Sequence, residues 1–253
     1  MIVAAYQPYF APFPGFFAKA RLADVLVVLD AVQFPQRTGW LTRNRFKCEQ
    51  GELWMTVPVL RRGRGLQRIG EVGICRGGSW ARKHLASLKA FYGKAPFFAA
   101  HLPFLEGLLG APPERLLDLN LPLLRHCAGH LGVSARILLL SELGIDAREP
   151  ALPVEICRRL GATAFLAQRP AEKHLAAELF AEAGIRLLTF AYHPQIYPQL
   201  YGPFVQNLSA LDLLFCCGPA APGVLGGWLR GPSGGEPASR DGAEPQAGSP
   251  AAG

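Results

Sequence analysis

The sequence predicts an α/β fold. A mostly parallel sheet is built from βαβ units and flanked by helices, and the middle segment of the chain is helical. Residues 25–29 form an apolar run without polar alternation, which is typical of a strand buried on both faces of a parallel sheet. A strand, a turn, a helix and this strand follow one another at the start of the chain, as in a βαβ unit. Helix and strand alternate again over residues 153–192.

The first predicted elements are short. Residues 1–6 form an apolar strand that ends at Gln7-Pro8, because the residue before a proline is disfavoured in helical geometry. An aromatic, proline-stiffened turn leads to a helix over residues 16–22 and to the strand over 25–29. Residues 31–47 are predicted as a basic, aromatic loop and residues 52–59 as a strand, with Pro58 at an edge or a bulge. Residues 60–70, rich in glycine and arginine, predict a mobile basic loop.

Helices dominate the middle of the chain. Apolar spacing predicts helices over residues 80–92, 102–109, 116–131 and 153–160, with Ser79 as the N-cap of the first. A strand over 163–166, a helix over 171–183 and a strand over 185–192 follow. Ser209, with Asp212 three residues later, predicts a capping box at the start of the last helix.

The chain length suits one large core. The chain has 253 residues and 50% of them are hydrophobic, so we expect residues 1–230 to form one α/β domain or two closely packed lobes, 1–100 and 101–230. From residue 231 onward no large apolar side chain occurs. This composition predicts a flexible tail over residues 231–253.

Several protein classes are disfavoured. The longest apolar run, residues 22–29, is interrupted by Asp24 and is too short to span a bilayer, so no membrane insertion is expected. The amino terminus lacks the basic segment of a secretory signal. The six cysteines show no CxxC spacing, which favours free thiols in a reducing compartment. We therefore expect a cytoplasmic protein.

The positive charge is concentrated in one region. Residues 35–94 contain 13 Lys or Arg and 3 Glu, a local balance of +10, whereas the formal charge of the whole chain is +7. Aromatic residues are interleaved with these cations, a combination that nucleic-acid surfaces use. An anionic partner, either a nucleotide or a tRNA, is therefore expected.

The end of the strand over 25–29 predicts a ligand site. Open α/β sheets bind ligands beyond the carboxyl ends of their strands, where Asp30 lies. The crevice there is expected to hold Asp30, Gln33, Arg37, Trp40, Arg43, Asn44, Arg45 and Lys47. Guanidinium groups bind phosphate oxygens in bidentate fashion, which favours a phosphate-bearing substrate. The alternative is an ion-paired surface loop.

Two histidines are candidates for acid–base chemistry. His193 lies in the segment YHPQIYPQ after the last predicted strand, where two prolines restrict a loop rich in hydrogen-bonding side chains. Histidine titrates near neutrality, so His193 is the first candidate for a general base. A purely structural connection is the alternative. His84, on the helix over 80–92, is the second candidate, and an ordinary helix histidine is its alternative.

No metal or cofactor is predicted. His126 and His130 lie four residues apart on a predicted helix, but without an HExxH acid such a pair is more often a surface or capping pair. The glycine-rich segment contains neither GxGxxG nor GxxxxGK[ST], and no GxSxG is present.

Four separated strings together resemble one family. The segments QPYFAPFPGFFAKARLADVLVVLDAVQF, RNRFK, WARKHLASLKAFYGKAPFF and YHPQIYPQLYGPFVQNLSALDLLFCCG are similar to those of the WbqC-like proteins, found among bacterial polysaccharide and O-antigen gene clusters. The resemblance covers residues 1–218 in order. It implies a transferase that attaches glycine or a related aminoacyl group to an amino sugar.

The resemblance also implies site residues. Matched to the family's motifs, they are Gln7, Tyr9 or Phe10, Asp30, Gln33, Arg43, Asn44, Arg45, Lys47, Trp80, His84, His193, Tyr197, Gln199 and Asp212. The chain departs from the family's pattern at five places, namely Tyr6, Ala31, Thr42, Ala167-Gln168 and His174. These departures indicate a divergent substrate or a weakened activity.

Three functions remain open from the sequence. The leading hypothesis is a transferase that moves an acyl or aminoacyl group to an amine on a nucleotide-linked sugar. Arg43, Arg45 and Lys47 would hold phosphate, and His193 or Asp30 would accept the amine proton. The alternatives are a nucleotidyltransferase-like enzyme, whose HxGH histidines this chain lacks, and a noncatalytic RNA-binding module. The sequence leaves the acyl donor, the acceptor sugar and the oligomeric state open.

Overall fold

A computed structural model describes residues 1–37, 39–169, 175–229 and 233–234 of the chain. The strands are β1 (Ile2–Tyr6), β2 (Val25–Val28), β3 (Arg43–Cys48), β4 (Gly51–Thr56), β5 (Arg136–Leu139), β6 (Ala164–Gln168), β7 (Arg186–Phe190) and β8 (Ser233–Gly234). The helices are α1 (Pro14–Arg21), α2 (Trp80–Tyr92), α3 (Phe98–Gly110), α4 (Leu116–His130), α5 (Leu152–Leu160), α6 (Ala177–Glu182), α7 (Ala210–Cys217) and α8 (Ala221–Gly227).

Six of these strands form one sheet in the order β5-β2-β1-β6-β7-β8. The first five are mutually parallel, and the two-residue strand β8 pairs antiparallel with β7. Helices flank the sheet, so the predicted α/β class with a mostly parallel sheet is confirmed. Strands β3 and β4 form a separate antiparallel hairpin.

The sheet separates two apolar cores. All four residues of β2 are buried, as predicted for a strand covered on both faces. Because side chains alternate along a strand, Val25 and Val27 join the core beneath α5 and α6, whereas Leu26 and Val28 join the larger core formed with α1 to α4 and α7. The carboxyl ends of the five parallel strands meet at one edge of the sheet, called here the carboxyl edge.

One predicted element was wrong, and one strand was not predicted. Residues Arg43–Cys48 form a strand and not a loop, because they pair in register with β4 from Arg43 opposite Thr56 to Cys48 opposite Gly51. The strand β5 was not predicted. It has four residues and completes the sheet beside β2, where Val25 pairs with Arg136.

Two other predictions fall partly outside the described residues. The predicted helix over 171–183 is observed as α6 from Ala177, and residues 170–174, which include His174, lie outside the described part. The predicted tail over 231–253 also lies outside it, apart from the backbone of β8.

Among the described residues, one apolar helical stretch is long enough to span a bilayer by length and composition, and it is longer than the run over residues 22–29. This stretch is Ala210–Gly227, and 56% of it is buried inside the protein. A buried core helix can have the same length and composition, so this stretch does not identify a membrane span.

Candidate functional site

The strand order places a candidate site between β1 and β6. From β1 the chain proceeds outward to β2 and β5 on one side, and then returns to β6 and β7 on the other. In open α/β sheets ligands bind at the carboxyl edge where the strand order reverses in this way. Tyr6 and Gln168 are the last residues of these two strands, and the Tyr6 hydroxyl donates a hydrogen bond to Oε1 of Gln168.

A buried amine lies directly beside this position. Lys19, on α1, is only 5% exposed, and its Nζ donates to the carbonyl of Ala5 at 3.0 Å. The same Nζ lies 4.2 Å from the centroid of the Tyr6 ring. Burial lowers the pKa of Lys19 from 10.5 to about 7. Near neutral pH a large fraction of this amine is therefore unprotonated and able to accept a proton.

Two buried asparagines fix the aromatic turn that follows β1. The side-chain amide of Asn44, on β3, donates to the carbonyls of Phe10 at 3.3 Å and Ala11 at 2.6 Å. Asn120, on α4, donates to the carbonyls of Pro8 at 2.7 Å and Leu41 at 2.8 Å. Ala11 has a φ of +43°, in the left-handed region that residues other than glycine seldom adopt. The turn that carries Gln7 and Tyr9 is therefore held from two sides.

Asp30 lies at the carboxyl edge but is engaged by the protein. It is 5% exposed, and its two carboxylate oxygens accept hydrogen bonds from the backbone N–H of Ser141 at 3.0 Å and the Ser141 hydroxyl at 2.6 Å. These contacts join the end of β2 to the turn after β5. Asp30 is thus fixed in orientation, and a ligand must share its oxygens with Ser141.

The glycine- and arginine-rich segment is anchored next to Asp30. Gln33, which is exposed, forms an isolated bridge with Arg68, and the backbone N–H of Gly70 donates to the carbonyl of Asp30 at 2.7 Å. The side chains of Arg62, Arg64 and Arg68 are exposed. The end of β2 is therefore close to Arg68, a cation that the sequence did not assign to the site.

Two cations of β3, Arg45 and Lys47, form hydrogen bonds within the protein. Arg45 donates to Glu52 at 2.8 Å and to the carbonyls of Gln206 at 3.1 Å and Asn207 at 3.3 Å. Lys47 is 1% exposed and donates through Nζ to the carbonyl of Pro203. These bonds fasten the loop before α7 to the hairpin. A phosphate would have to displace them.

Arg43 differs from its two neighbours on β3. Its guanidinium carbon lies 4.5 Å from the ring centroid of Trp54, which is 41% exposed, and Trp54 contacts Trp40 with ring centroids 5.7 Å apart. The hairpin thus presents an aromatic and cationic surface, defined by Trp40, Arg43 and Trp54.

Tyr197 and Gln199 meet Asp212 inside the protein. The carboxylate of Asp212 is fully buried and accepts hydrogen bonds from the hydroxyls of Tyr197 at 2.6 Å and Tyr92 at 2.8 Å, and from Nε2 of Gln199 at 3.0 Å. Burial raises the pKa of Asp212 and of both tyrosines. The backbone N–H of Lys47 donates to the Tyr92 hydroxyl at 2.6 Å, which joins β3 to the same network.

This network corrects the predicted capping box. Ser209 does cap α7, because its Oγ accepts from the backbone N–H of Leu211 at 3.3 Å. Asp212 is committed to the tyrosines and Gln199 and does not complete the box.

His193 lies after β7, at the carboxyl edge. Its side chain is exposed, and its backbone N–H donates to the carbonyl of Trp228 at 3.3 Å. The preceding Tyr192 packs on the start of α1, where a Cβ on Gly15 would lie 2.4 Å from the Tyr192 ring. Glycine at position 15 is therefore required for this close approach, and the hydroxyl of Tyr192 donates to Asn207.

His84 and Trp80 lie on α2, and the centroid of the His84 ring lies 6.1 Å from that of Phe10, in the turn that follows β1. The rings of His84 and Trp80 contact edge to face with centroids 5.3 Å apart, and Trp80 lines a groove of about 720 Å³ between the start of α2 and the end of α3. Burial lowers the pKa of His84 to about 4, so its imidazole is neutral at pH 7. Among the described residues, Nδ1 of His84 has no hydrogen-bond partner.

The structure therefore divides the predicted site residues. Gln7, Tyr9, Asp30, Gln33 and His193 lie along the carboxyl edge. Asn44, Arg45, Lys47, Tyr197 and Gln199 hold the hairpin, the loop before α7 and the interior network together. Sequence reasoning did not identify Lys19 and Gln168 as candidate site residues. A lysine within the apolar segment FFAKA was the available signal for the first.

Comparison with known proteins agrees with the resemblance seen in the sequence. The model of the WbqC-like protein family matches residues 7–223. The chain is 32% identical over 225 residues to a curated protein of Mycobacterium tuberculosis (strain ATCC 25618 / H37Rv) named "Uncharacterized protein Rv1507c", and the alignment covers 88% of this chain and 96% of that protein. No solved structure matches the chain. The chain belongs to the WbqC-like protein family.

Proposed function

We propose that the chain is a cytoplasmic transferase of polysaccharide synthesis that moves an acyl or aminoacyl group to the amine of a nucleotide-linked sugar. The observation that carries the proposal is the buried Lys19 amine beside Tyr6 and Gln168, at the point where the strand order reverses. An amine that attacks an acyl carbonyl must lose a proton, and a group with a pKa near 7 accepts one efficiently.

The neighbours of Lys19 suit this role. Once protonated, its ammonium lies over the Tyr6 ring, where the aromatic face stabilises a positive charge. Gln7, Tyr9 and Gln168 supply hydrogen-bonding groups along the carboxyl edge that would orient sugar hydroxyls. His193 lies at the same edge and is the second candidate for the proton acceptor.

We assign phosphate binding to the exposed arginines of the segment that borders Asp30. Arg62, Arg64 and Arg68 are exposed, whereas Arg45 and Lys47 are bonded to the protein. A diphosphate bound there would leave the attached sugar near the ends of β1 and β2. Guanidinium groups bind such oxygens well because they donate two parallel hydrogen bonds.

The hairpin surface of Trp40, Arg43 and Trp54 supports a tRNA as the aminoacyl donor. Exposed aromatic rings beside cations are the groups on which single-stranded bases stack. An RNA donor would leave the carboxyl edge free for the acceptor sugar.

Matched ligands test the proposal in a thermal-shift titration. UDP-glucosamine and UDP-glucose carry the same diphosphate, and only the first has a sugar amine. We expect both to raise the Tm of the purified chain through the diphosphate. Arg64→Ala should reduce both shifts. Transfer is then tested by incubating UDP-glucosamine with a glycyl-tRNA and following a mass increase that UDP-glucose does not show. Stabilisation by RNA alone would support the noncatalytic binding module.

A nucleotidyltransferase is the second candidate. The reversal of strand order at β1 is the arrangement with which doubly wound sheets bind nucleotides, and this favours it. Release of pyrophosphate from ATP in the presence of a sugar phosphate would distinguish it from the transferase.

A further inference from the structure

Three histidines on two helices, α3 and α4, lie close together. His101 lies on α3, and His126 and His130 lie on α4. Each offers a ring nitrogen, and these three nitrogens all lie within 4.8 Å of one another. Nδ1 of His101 and Nε2 of His126 are 2.9 Å apart. We propose that His101, His126 and His130 form a binding site for a divalent transition-metal ion of the zinc type.

The ligand set fits such an ion. Imidazole nitrogen is a preferred ligand of Zn²⁺, Co²⁺, Ni²⁺ and Cu²⁺, and three histidines with an open fourth position are a known zinc arrangement. Two nitrogens bound to a tetrahedral zinc ion at 2.0–2.1 Å lie about 3.3 Å apart. The pair of His101 and His126 therefore needs to widen by a few tenths of an ångström. His130 needs to move inward, and it is exposed at the last residue of α4.

Aromatic packing orients two of the rings. The Phe104 ring stacks on His126 at a centroid distance of 3.9 Å and an angle of 3°, and Phe215 contacts His101 with centroids 5.7 Å apart. His101 is 3% exposed and His130 is exposed, so the cluster extends from the interior to the surface. Solvent at the His130 side would supply the fourth ligand and the route of entry.

The histidine cluster is separate from the proposed transfer site. Asn120, which holds the turn after β1, lies ten residues before His130 on the same helix, and ten helical residues span about 15 Å. The ion would link α3 to α4 and stabilise the packing of these two helices.

A simple alternative is a hydrogen bond between two histidines. The distance of 2.9 Å between Nδ1 of His101 and Nε2 of His126 is that of an ordinary hydrogen bond. Such a bond requires no metal and no third residue. The two explanations differ at His130. Only metal binding requires its imidazole.

The test uses the full-length chain, stripped with a chelator and titrated with Co²⁺. We expect one ion per chain, with the visible d–d absorption of tetrahedral cobalt and without the ultraviolet band of a cobalt–thiolate bond. The second feature excludes the six free cysteines as ligands. Zn²⁺ should displace the cobalt and raise the Tm of the chain.

Single variants locate the site. His130→Gln and His126→Gln should each weaken Co²⁺ binding by at least about tenfold, whereas His193→Gln, at an exposed histidine outside the cluster, should leave it unchanged. His130 is exposed, so His130→Gln is expected to fold normally, which circular dichroism would check. Equal affinity in His130→Gln and the wild type, a thiolate band, or no stoichiometric cobalt in the folded wild type would each overturn the proposal.

Discussion

The ammonium nitrogen of Lys19 lies 4.2 Å from the centroid of the Tyr6 ring, beneath the ends of β1 and β6. The two residues come from the first strand and from the helix that follows it. Their contact places an amine with a lowered pKa where doubly wound sheets bind ligands.

Lys19→Met should change how stability depends on pH. The folded-state pKa of Lys19 is about 7 and its usual value is 10.5, so the unfolded chain binds more protons between these two values. The wild type should therefore gain stability relative to Lys19→Met as the pH rises through that window, and lose the gain as the pH falls to 7. Urea unfolding of both chains across this range measures the difference. A difference that does not vary with pH would contradict the buried, neutral amine.

Asn120→Ala should destabilise the protein through the turn after β1. It removes the donors to the carbonyls of Pro8 and Leu41 and leaves both acceptors buried. We expect a loss of about 2–4 kcal/mol in the free energy of unfolding. The control is Gln50→Ala at an exposed position, which should change stability little. Similar values for the two variants in urea denaturation would mean that Asn120 does not anchor the turn.

Gly15→Ala should disturb Tyr192. The new Cβ would lie 2.4 Å from ring atoms of Tyr192 and 2.5 Å from Phe13, so one of the rings must move. In the Tyr192→Ala background the same change should cost less, because one obstructing ring is gone. A double-mutant cycle measured by thermal unfolding tests this expectation. Strict additivity of the two changes would argue against the close packing.

Arg45→Ala and Arg64→Ala should have different effects, because the first should lower stability and the second should weaken ligand binding. Because Arg45 donates to Glu52 and to two loop carbonyls, we expect Arg45→Ala to lower the free energy of unfolding by about 1–3 kcal/mol. Arg64→Ala, at an exposed side chain, should weaken binding of a nucleoside diphosphate without loss of stability. Unaltered nucleotide binding by Arg64→Ala would remove the phosphate role from that residue.

His193→Gln should lower turnover and leave the fold intact, if His193 contributes to proton transfer. Its side chain is exposed, so little packing is lost. The comparison with Lys19→Arg, whose guanidinium stays charged and cannot accept a proton near neutral pH, shows which of the two residues is the proton acceptor. The variant in which the pH dependence of kcat/KM near pH 7 disappears identifies the group.

The inner strand β2 could be predicted because its sequence alone indicates a buried strand. The buried residues of β2 form an uninterrupted apolar run, and its role as an inner strand follows from that run. The strand β3 lacks such a run, because Arg43, Arg45 and Lys47 alternate with Asn44, Phe46 and Cys48. This alternation is typical of a half-buried strand, so the prediction of a loop gave too much weight to the charges. Lys47 is buried because it bonds to Pro203, which is distant in sequence.

Sequence patterns indicate which candidate residues lie at the carboxyl edge, but not which distant residues pack beside them. Asp30, Gln7 and His193 follow strand ends, which sequence patterns reveal. The environment of Lys19 depends on Tyr6 and Phe165, which belong to neighbouring strands. The histidine cluster was missed for the same reason, because His101 joins His126 and His130 only when α3 and α4 pack together.

The most direct test of the account is the side-chain NMR signal of Lys19 in protein labelled with carbon-13 lysine. The chain has few lysines, and the signal lost in Lys19→Arg assigns the one of interest. We predict that its Cε resonance titrates near pH 7 and shifts when UDP-glucosamine is added. A resonance that titrates only near the usual value of 10.5 and does not respond to the ligand would contradict the proposal that this amine serves a transfer site.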